Sequence, residues 1–393
     1  MQAGGASVVR AQGMKNEFTL CVNPERAPGP PALTAKILAI QFRSLGDLVL
    51  LIPALQAIGN RFPHAELHVL VPDVAAPLLL GQPGLTKVWA MHRTRGQPSW
   101  KQSWPLIRSL RAERFDRSVD FGGNDRGAIL SFLCGARERL GLDYDGGFLG
   151  RRFCYTRRIG PASRNRHETL RSVNVLSAWG ILPPPSVEIT LHTDPALDPV
   201  ASQLLPKGTV LCFIGAGMAK KCWPPSHWAA FYRKAAAAGY RLAFAAGIRT
   251  AEQVALQEFK RLVAGAMVLP QLDLATFLAV IKRAGAVISN DTGPMHFAAT
   301  LGVPTIGLFG PTSASQWGPV GKKQRIIEHL NCICNPSSHT CHSGEAHCLA
   351  SISPDEVFLA LQELYPASDP NGSLLRQLVM RKGIKAGVSH PSC

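Results

Sequence analysis

Residues Ala286–Thr312 read AVISNDTGPMHFAATLGVPTIGLFGPT. An apolar run at Ala286–Ser289 meets a polar turn, Asn290-Asp291-Thr292-Gly293. Pro294 and an Ala-rich stretch follow, then a second apolar run at Thr305–Phe309. This pattern predicts strand, helix and strand, the crossover unit of a parallel sheet. Gly293 lets the backbone come close to a ligand. Pro294 suits the first helical turn, where a missing N–H costs nothing. The unpaired N–H groups and the dipole of that helix end make a seat for phosphate, with Thr292 adding a hydroxyl donor. The same residues also read as a plain cap, Asp291 or Thr292 serving the first turn. His296, one turn in, either faces such a phosphate or packs inside.

The pattern extends in both directions. Thr209–Ile214 reads as a strand ending in Gly215-Ala216-Gly217, and Trp228–Ala238 as a helix closed by Gly239. Strands are expected again at Tyr240–Ala246 and Ala266–Leu269. Nearer the N-terminus, Lys36–Phe42 is a strand ending at Arg43. It turns through Ser44, Leu45 and Gly46 into a helix that opens near Asp47 and runs to about Arg61. Strands follow at Glu66–Val71, Lys87–Met91 and Arg117–Phe121, with a helix around Leu106–Arg114 and a loop at Gly141–Gly150. Ile181-Leu182-Pro183-Pro184-Pro185 cannot continue a helix and reads as a linker. The expected fold is α/β: two doubly wound domains, 34–182 and 183–366, facing across a cleft. A Gly/Pro/Ala-rich extension, 1–33, is expected to be unstructured, with Met14 an alternative start, and 367–393 forms a basic tail.

With 393 residues, 46% hydrophobic and 17% charged, the chain has globular composition and the length of two domains. No apolar run reaches the ~20 residues that cross a bilayer. The longest, Leu48–Ile58, contains Pro53 and Gln56 and reads as a buried helix. No secretory signal is read at the N-terminus. Lys and Arg outnumber Asp and Glu by 42 to 26. Between His92 and Arg171 there are sixteen Arg and one Lys against eight acids, which points to an anionic partner or to a merely solvated basic surface. No zinc-finger or RNA-binding signature accompanies the charge, so nucleic acid is not the expected partner. Scattered cysteines fit a reducing compartment. Cys332, Cys334, Cys341 and Cys348 cluster and could hold zinc, but their spacing is not that of a zinc knuckle.

In parallel sheets, ligands sit beyond the carboxyl ends of the strands. The residues to inspect are therefore Ser44–Asp47, Gly215–Lys221, Gly247–Glu252, Asn290–His296 and Gly310–Thr312. Asp47, at a strand-to-helix turn, reads either as an N-cap or as a carboxylate that takes a proton. Gly215 and Gly217 can bring backbone N–H groups to a phosphate.

Several of these stretches together resemble glycosyltransferase family 9, the ADP-heptose:lipopolysaccharide heptosyltransferases. They are Ile40-Gln41-Phe42-Arg43-Ser44-Leu45-Gly46-Asp47 with Pro53-Ala54-Leu55, then Lys220-Lys221-Cys222-Trp223-Pro224. Asn290–His296, Gly302-Val303-Pro304, Leu308–Thr312 and Trp317-Gly318-Pro319 complete the set. The likeness spans Lys36 to Leu361 and is weak between Gly96 and Pro206. It implies two Rossmann-like domains of the GT-B type, the first facing the acceptor and the second holding the nucleotide sugar. It implies Asp47 as general base and Lys221 as a contact to the donor phosphates. Glu252 matches the acid that binds the donor ribose, although its spacing from Gly247 is off. Asp291, Thr292, Gly293 and His296 fall on the donor side, with Gly215 and Gly217. Ser44, Gly46, Arg151 and Arg152 fall on the acceptor side.

The function implied is inverting transfer of a heptose or related sugar from an ADP-sugar to a lipopolysaccharide core or similar glycolipid. No cofactor or metal is expected, with lysine and helix dipole taking the place of Mg²⁺. The partners expected are a nucleotide sugar, an anionic glycolipid and, peripherally, the cytoplasmic face of the inner membrane. The alternatives are a nucleotide-sugar epimerase, which would need no acceptor, and a non-catalytic nucleotide-sugar-binding protein.

Overall fold

The computed structural model describes residues 20–22, 35–92, 100–143, 147–160, 166–329 and 347–367. The first half runs β1 (Leu20–Val22), β2 (Lys36–Ile40), α1 (Leu45–Arg61), β3 (Glu66–Pro72), β4 (Lys87–Met91), α2 (Trp100–Ala112), β5 (Arg117–Asp120), α3 (Asp125–Leu133), β6 (Glu138–Leu142), β7 (Arg157–Ile159) and α4 (Glu168–Val175). The second runs α5 (Asp198–Leu204), β8 (Val210–Phe213), α6 (Pro225–Ala237), β9 (Leu242–Ala245), α7 (Thr250–Leu262), β10 (Met267–Val268), α8 (Leu274–Arg283), β11 (Ala286–Asn290), α9 (Gly293–Thr300), β12 (Thr305–Phe309), α10 (Ala314–Trp317), β13 (Gln324–Glu328), α11 (His347–Ala350) and α12 (Pro354–Leu364).

The strands form two sheets, ordered β1-β4-β3-β2-β5-β6-β7 and β10-β9-β8-β11-β12-β13. All pairings are parallel except that of β1 with β4. Central strands such as β2 (KILAI) and β8 (VLCF) are buried on both faces, as helices on both sides of a parallel sheet require. Apart from β1 at the edge, the chain in each sheet starts centrally, builds outward to one side, then returns to build on the other. The reversal falls between β2 and β5 in the first sheet and between β8 and β11 in the second. Such switch points open a crevice at the strands' carboxyl ends.

The helix expected near Asp47 is α1, and its buried face covers Gly46–Leu55. Three expectations need correction. Within the segment expected to be unstructured, Leu20–Val22 pairs antiparallel along β4 and covers that sheet edge. Gly141 and Leu142, expected in a loop, end strand β6. Gly141 belongs there because a Cβ on it would overlap the Tyr155 ring. β13, QRIIE, was not foreseen, because an edge strand with polar ends carries little alternation.

The halves pack directly on one another. One apolar cluster runs from Ile37, Val69 and Leu79 in the first half to Phe213, Leu278 and Phe297 in the second. The Pro-rich segment after Ile181 has no regular structure as far as Thr193. It is held from both sides: Gln82 Nε2 donates to the Thr190 carbonyl at 2.9 Å, and Leu191 N–H to that of Thr300 at 3.3 Å.

Two glycines make a test of this packing. Gly141→Ala displaces Tyr155 and should cost about 1–3 kcal/mol, the usual penalty of overpacking. Gly59, inside α1 with open space around it, should gain about 0.5–1 kcal/mol as Gly59→Ala. Urea unfolding of both variants reads the opposite signs.

Candidate active site

The site grows from two strand-to-helix turns, one in each half. After β2, Ser44 is the N-cap of α1 and Asp47 stands three residues on, at N3 rather than at the cap. A capping box joins them. Ser44 N–H donates to Asp47 Oδ2 at 3.0 Å and the Ser44 hydroxyl to the same oxygen at 2.5 Å, while Asp47 N–H donates back to Ser44 Oγ at 3.3 Å. Asp47 Oδ2 is thus spent on the helix. Asp47 Oδ1 is buried and has no hydrogen bond. Ser44 therefore holds the candidate base.

After β11, Thr292 sits at the N-cap of α9, but its side chain makes no capping bond. Asp291 does not cap either. Its Oδ2 accepts from Lys221 Nζ at 2.7 Å and from Thr312 Oγ1 at 2.5 Å. The capping alternative fails for both residues, so the start of α9 carries no side-chain cap. Asn290 locks the neighbouring loop: its Nδ2 donates to the Ile214 carbonyl at 2.7 Å, and its Oδ1 accepts the Trp223 N–H at 3.0 Å. Trp223 itself is buried, with its indole donating to the Ile352 carbonyl at 3.0 Å, so it fixes the Lys221 loop and stacks on no ligand.

The two turns meet. A Cβ on Gly46 would stand 3.0 Å from His296 Cδ2 and 3.7 Å from Gly293 Cα. Glycine thus leaves room for α1 and α9 to bring their N-termini together here, since any larger residue would require the His296 ring to shift by a few tenths of an ångström. His296 is buried, its Nδ1 has no partner, and burial lowers its pKa to about 4. It is therefore a neutral imidazole at physiological pH and brings no cationic charge to a phosphate.

Glu252 is buried in a capping box, accepting the Arg249 N–H at 3.1 Å. Its side chain lies where a Cβ on Gly215 or Gly247 would be, across the carboxyl ends of β8 and β9. It is no exposed first-turn acid. Gly217 is held by Arg249, whose Nη1 donates to its carbonyl at 3.1 Å.

Four residues that carried no role in the sequence line the same junction. Arg43 reaches Asp47 and Glu168, and its guanidinium lies 5.7 Å from the centre of the Trp317 ring. His167 Nε2 donates to the Gly318 carbonyl at 2.9 Å, across the halves. Trp317 Nε1 is buried without a partner. His167-Glu168 had no signal to betray it, since nothing local says that α4 opens against α1 and the Trp317 corner.

The acceptor-side arginines differ from one another. Arg151 is buried against the Gly123 carbonyl and Asp125, whereas Arg152 is exposed and lies over Phe153 at 4.9 Å. Of the cysteine cluster, Cys348 is buried behind Gly310, and Cys332, Cys334 and Cys341 lie outside the described residues. Among the described residues no group of His, Cys, Asp and Glu has metal-binding geometry.

The family model of glycosyltransferase family 9 (heptosyltransferase) matches residues 103–347, more than half of the chain. The chain belongs to this family. It is a glycosyltransferase, with the two Rossmann-like halves of the GT-B type. It is 28% identical over 307 residues to lipopolysaccharide heptosyltransferase 1 of Pseudomonas aeruginosa, covering 74% of this chain and 82% of that one. It is 24% identical over 347 residues to lipopolysaccharide heptosyltransferase 2 of Escherichia coli, covering 84% and 98%. In fold it is similar to the glycosyl transferase family 9 structure from Veillonella parvula, with a TM-score of 0.74 at 20% identity over 86% of this chain and 99% of that one. E. coli ADP-heptose lps heptosyltransferase II gives 0.70 at 21% over 84% and 98%.

The junction predicts a pH dependence of stability. His296 is neutral when folded and protonates near pH 6.5 when unfolded, so it weakens the fold as pH drops from 6.5 towards 4. The full loss is roughly 3 kcal/mol. His296→Gln removes this term, so the stability gap between wild type and variant should narrow on going from pH 7.5 to pH 5, as followed by thermal unfolding at both pH values.

Proposed function

We propose that the chain transfers a heptose, or a closely related sugar, with inversion, from an ADP-sugar such as ADP-L-glycero-D-manno-heptose to a lipopolysaccharide core or similar glycolipid. The observation that carries this reading is Asp47 Oδ1, a buried carboxylate oxygen without a hydrogen bond, at the meeting point of two helix N-termini. The donor occupies the half at 183–366 and the acceptor the half at 34–182. The donor diphosphate sits at the uncapped start of α9, at Thr292 and Gly293, with Gly215 and Gly217 alongside. Lys221 has three N–H donors and spends one on Asp291, so it can hold a phosphate oxygen as well. Glu252, lying over the ends of β8 and β9, takes the ribose hydroxyls.

The acceptor hydroxyl gives its proton to Asp47 Oδ1 as its oxygen attacks the anomeric carbon. The bond from that carbon to the phosphate oxygen breaks, and ADP leaves with the electron pair. Lys221 and the α9 terminus offset the charge that grows on it. The chain needs no metal for this step, and neutral His296 serves as a hydrogen-bonding group rather than a charge. The similarity to lipopolysaccharide heptosyltransferases 1 and 2 supports the choice of sugar and acceptor over an epimerase.

Two variants separate the roles. Asp47→Asn should cut transfer by ~10²- to 10⁴-fold, the usual worth of a general base, and leave ADP affinity near wild type. Lys221→Ala should instead weaken ADP binding, by about 1.5–3 kcal/mol for a charge-assisted contact. Calorimetry with ADP alongside initial rates distinguishes them, and an active Asp47→Asn protein overturns the mechanism.

A lipid-linked acceptor must be met at a membrane surface, and no helix of the described residues is long and apolar enough to cross one. Several arginines of the basic stretch between His92 and Arg171 face carboxylates: Arg151 faces Asp125, Arg157 pairs with Glu138, and Arg158 pairs with Asp143. Around Gly150 an apolar surface also faces outward. Phe148 and Phe153 flank Gly150, Leu149 stands fully in solvent, and Phe132 is exposed under Arg139. Arg139 and Arg152 meet no carboxylate among the described residues. Aromatic tips with stacked arginines suit the headgroup layer of an anionic bilayer on the cytoplasmic side. The wild type should sediment with phosphatidylglycerol vesicles at low salt. Phe148→Ser/Leu149→Ser/Phe153→Ser should abolish this while ADP binding persists. Absence of wild-type binding overturns the membrane contact.

A further inference from the structure

We propose that Arg43 and Glu168 form a positioning couple for Asp47, holding its hydrogen-bond-free oxygen in place and tying it to the Trp317-Gly318 corner of the donor half. The inference rests on the reading of Asp47 as the base and assigns the residues that govern it.

The geometry is that of one guanidinium shared between two carboxylates. Arg43 Nε lies 3.5 Å from Asp47 Oδ1, the oxygen left over from the capping box. Its Nη1 lies 3.4 Å from Glu168 Oε1. The approach to Asp47 pairs the charges without making a hydrogen bond, so the lone pairs of Oδ1 stay open to an acceptor hydroxyl. Glu168 opens α4, is buried, and gives its second oxygen to Arg171. Burial pushes the Glu168 carboxyl up, Arg171 and Arg43 pull it down, and the charge on Asp47 pushes it up again. The two carboxylates therefore sense each other through the space that Arg43 fills.

The couple reaches across the cleft. The Arg43 guanidinium lies over the Trp317 ring, and His167, next to Glu168, donates to the Gly318 carbonyl. Arg43 and the residue beside Glu168 thus touch the same corner of the other half. Seating that corner restricts Arg43, and Arg43 restricts Asp47 Oδ1.

The charges balance: Arg43 and Arg171 against Asp47 and Glu168. The other titratable groups facing Asp47 add little, since His296 on α9 is neutral, and Lys221 and Asp291 are paired with each other. When Asp47 accepts the proton, the cluster gains one positive charge. The Arg43 charge disfavours protonation of the cluster, and the Glu168 charge favours it. Removing Arg43 should raise the proton affinity, and removing the Glu168 charge should lower it. A residue that merely supports the fold would not shift the profile in opposite directions.

The test is the pH profile of kcat and kcat/KM for the full chain, with ADP-L-glycero-D-manno-heptose as donor and heptose-free lipopolysaccharide core as acceptor. Arg43→Gln should move the acid limb of kcat up by about one pH unit, the lower end for loss of an opposite charge at this range. Arg43→Lys should bring it most of the way back, and Glu168→Gln should move it down. ADP affinity, by calorimetry, should stay within about twofold in all three, because none touches the phosphate seat. Arg43 is partly exposed, so its two variants carry the test even if Glu168→Gln does not fold. Acid limbs that coincide with wild type in Arg43→Gln and Arg43→Lys, while Asp47→Asn is inactive, overturn the couple and leave the base standing. An active Asp47→Asn overturns the base itself.

Discussion

Two helix N-termini from opposite halves of the molecule are held in contact at Gly46 and His296, and the site depends on that contact. Each terminus carries partial positive charge from its unpaired N–H groups. Bringing two together is unfavourable unless something anionic shares the space. In α1 the offset is built in: the Asp47 carboxylate lies within the first turn and accepts from Ser44. In α9 it is not. Thr292 makes no side-chain cap, and Asp291 is turned away to Lys221 and Thr312. The asymmetry leaves one helix end capped by the protein and the other without a side-chain cap, suited to an anion from outside.

Asp47 divides its labour between its two oxygens. Oδ2 is a structural acceptor that fixes the start of α1, and Oδ1, without a hydrogen bond, is the atom proposed as the base. The division works because the capping box fixes the side-chain torsions, so the second oxygen points to one place at little further entropic cost. The same economy recurs in Lys221, where one hydrogen bond to Asp291 orients an ammonium that keeps two donors in reserve. It recurs in Glu252, whose capping role lays its carboxylate over Gly215 and Gly247.

The basic surface shows how charge read along a chain differs from charge read in space. Arg157 and Arg158 lie close to Arg151 and Arg152 in sequence, yet the pairing of β7 with β6 brings them within ion-pair reach of Glu138 and Asp143. Around Gly150 the fold exposes an apolar tip, formed by Phe148, Leu149 and Phe153, with Arg152 laid over Phe153.

The two-sheet architecture, most strands, the helix at Asp47 and the family are legible in the sequence alone. These rest on local alternation, turn residues and contiguous motifs, which need no knowledge of distant contacts. The sequence also placed Asp47, Lys221 and Asp291–Gly293 beyond strand ends, because in a parallel sheet that position follows from chain direction alone. It could not choose between cap and ligand seat for Asp291 and Thr292, since that depends on Lys221, seventy residues away. Strand β6 escaped it because Gly141 looks like a turn residue until Tyr155 is seen to fill the space of its Cβ. Arg43, His167, Glu168 and Trp317 acquire a role only when α1, α4 and the Trp317-Gly318 corner are packed together. Their partners lie more than 100 residues away, and no periodicity or spacing records such a contact. Only the tertiary structure decided it, because long-range contacts are fixed by packing of the halves and not by the local chain.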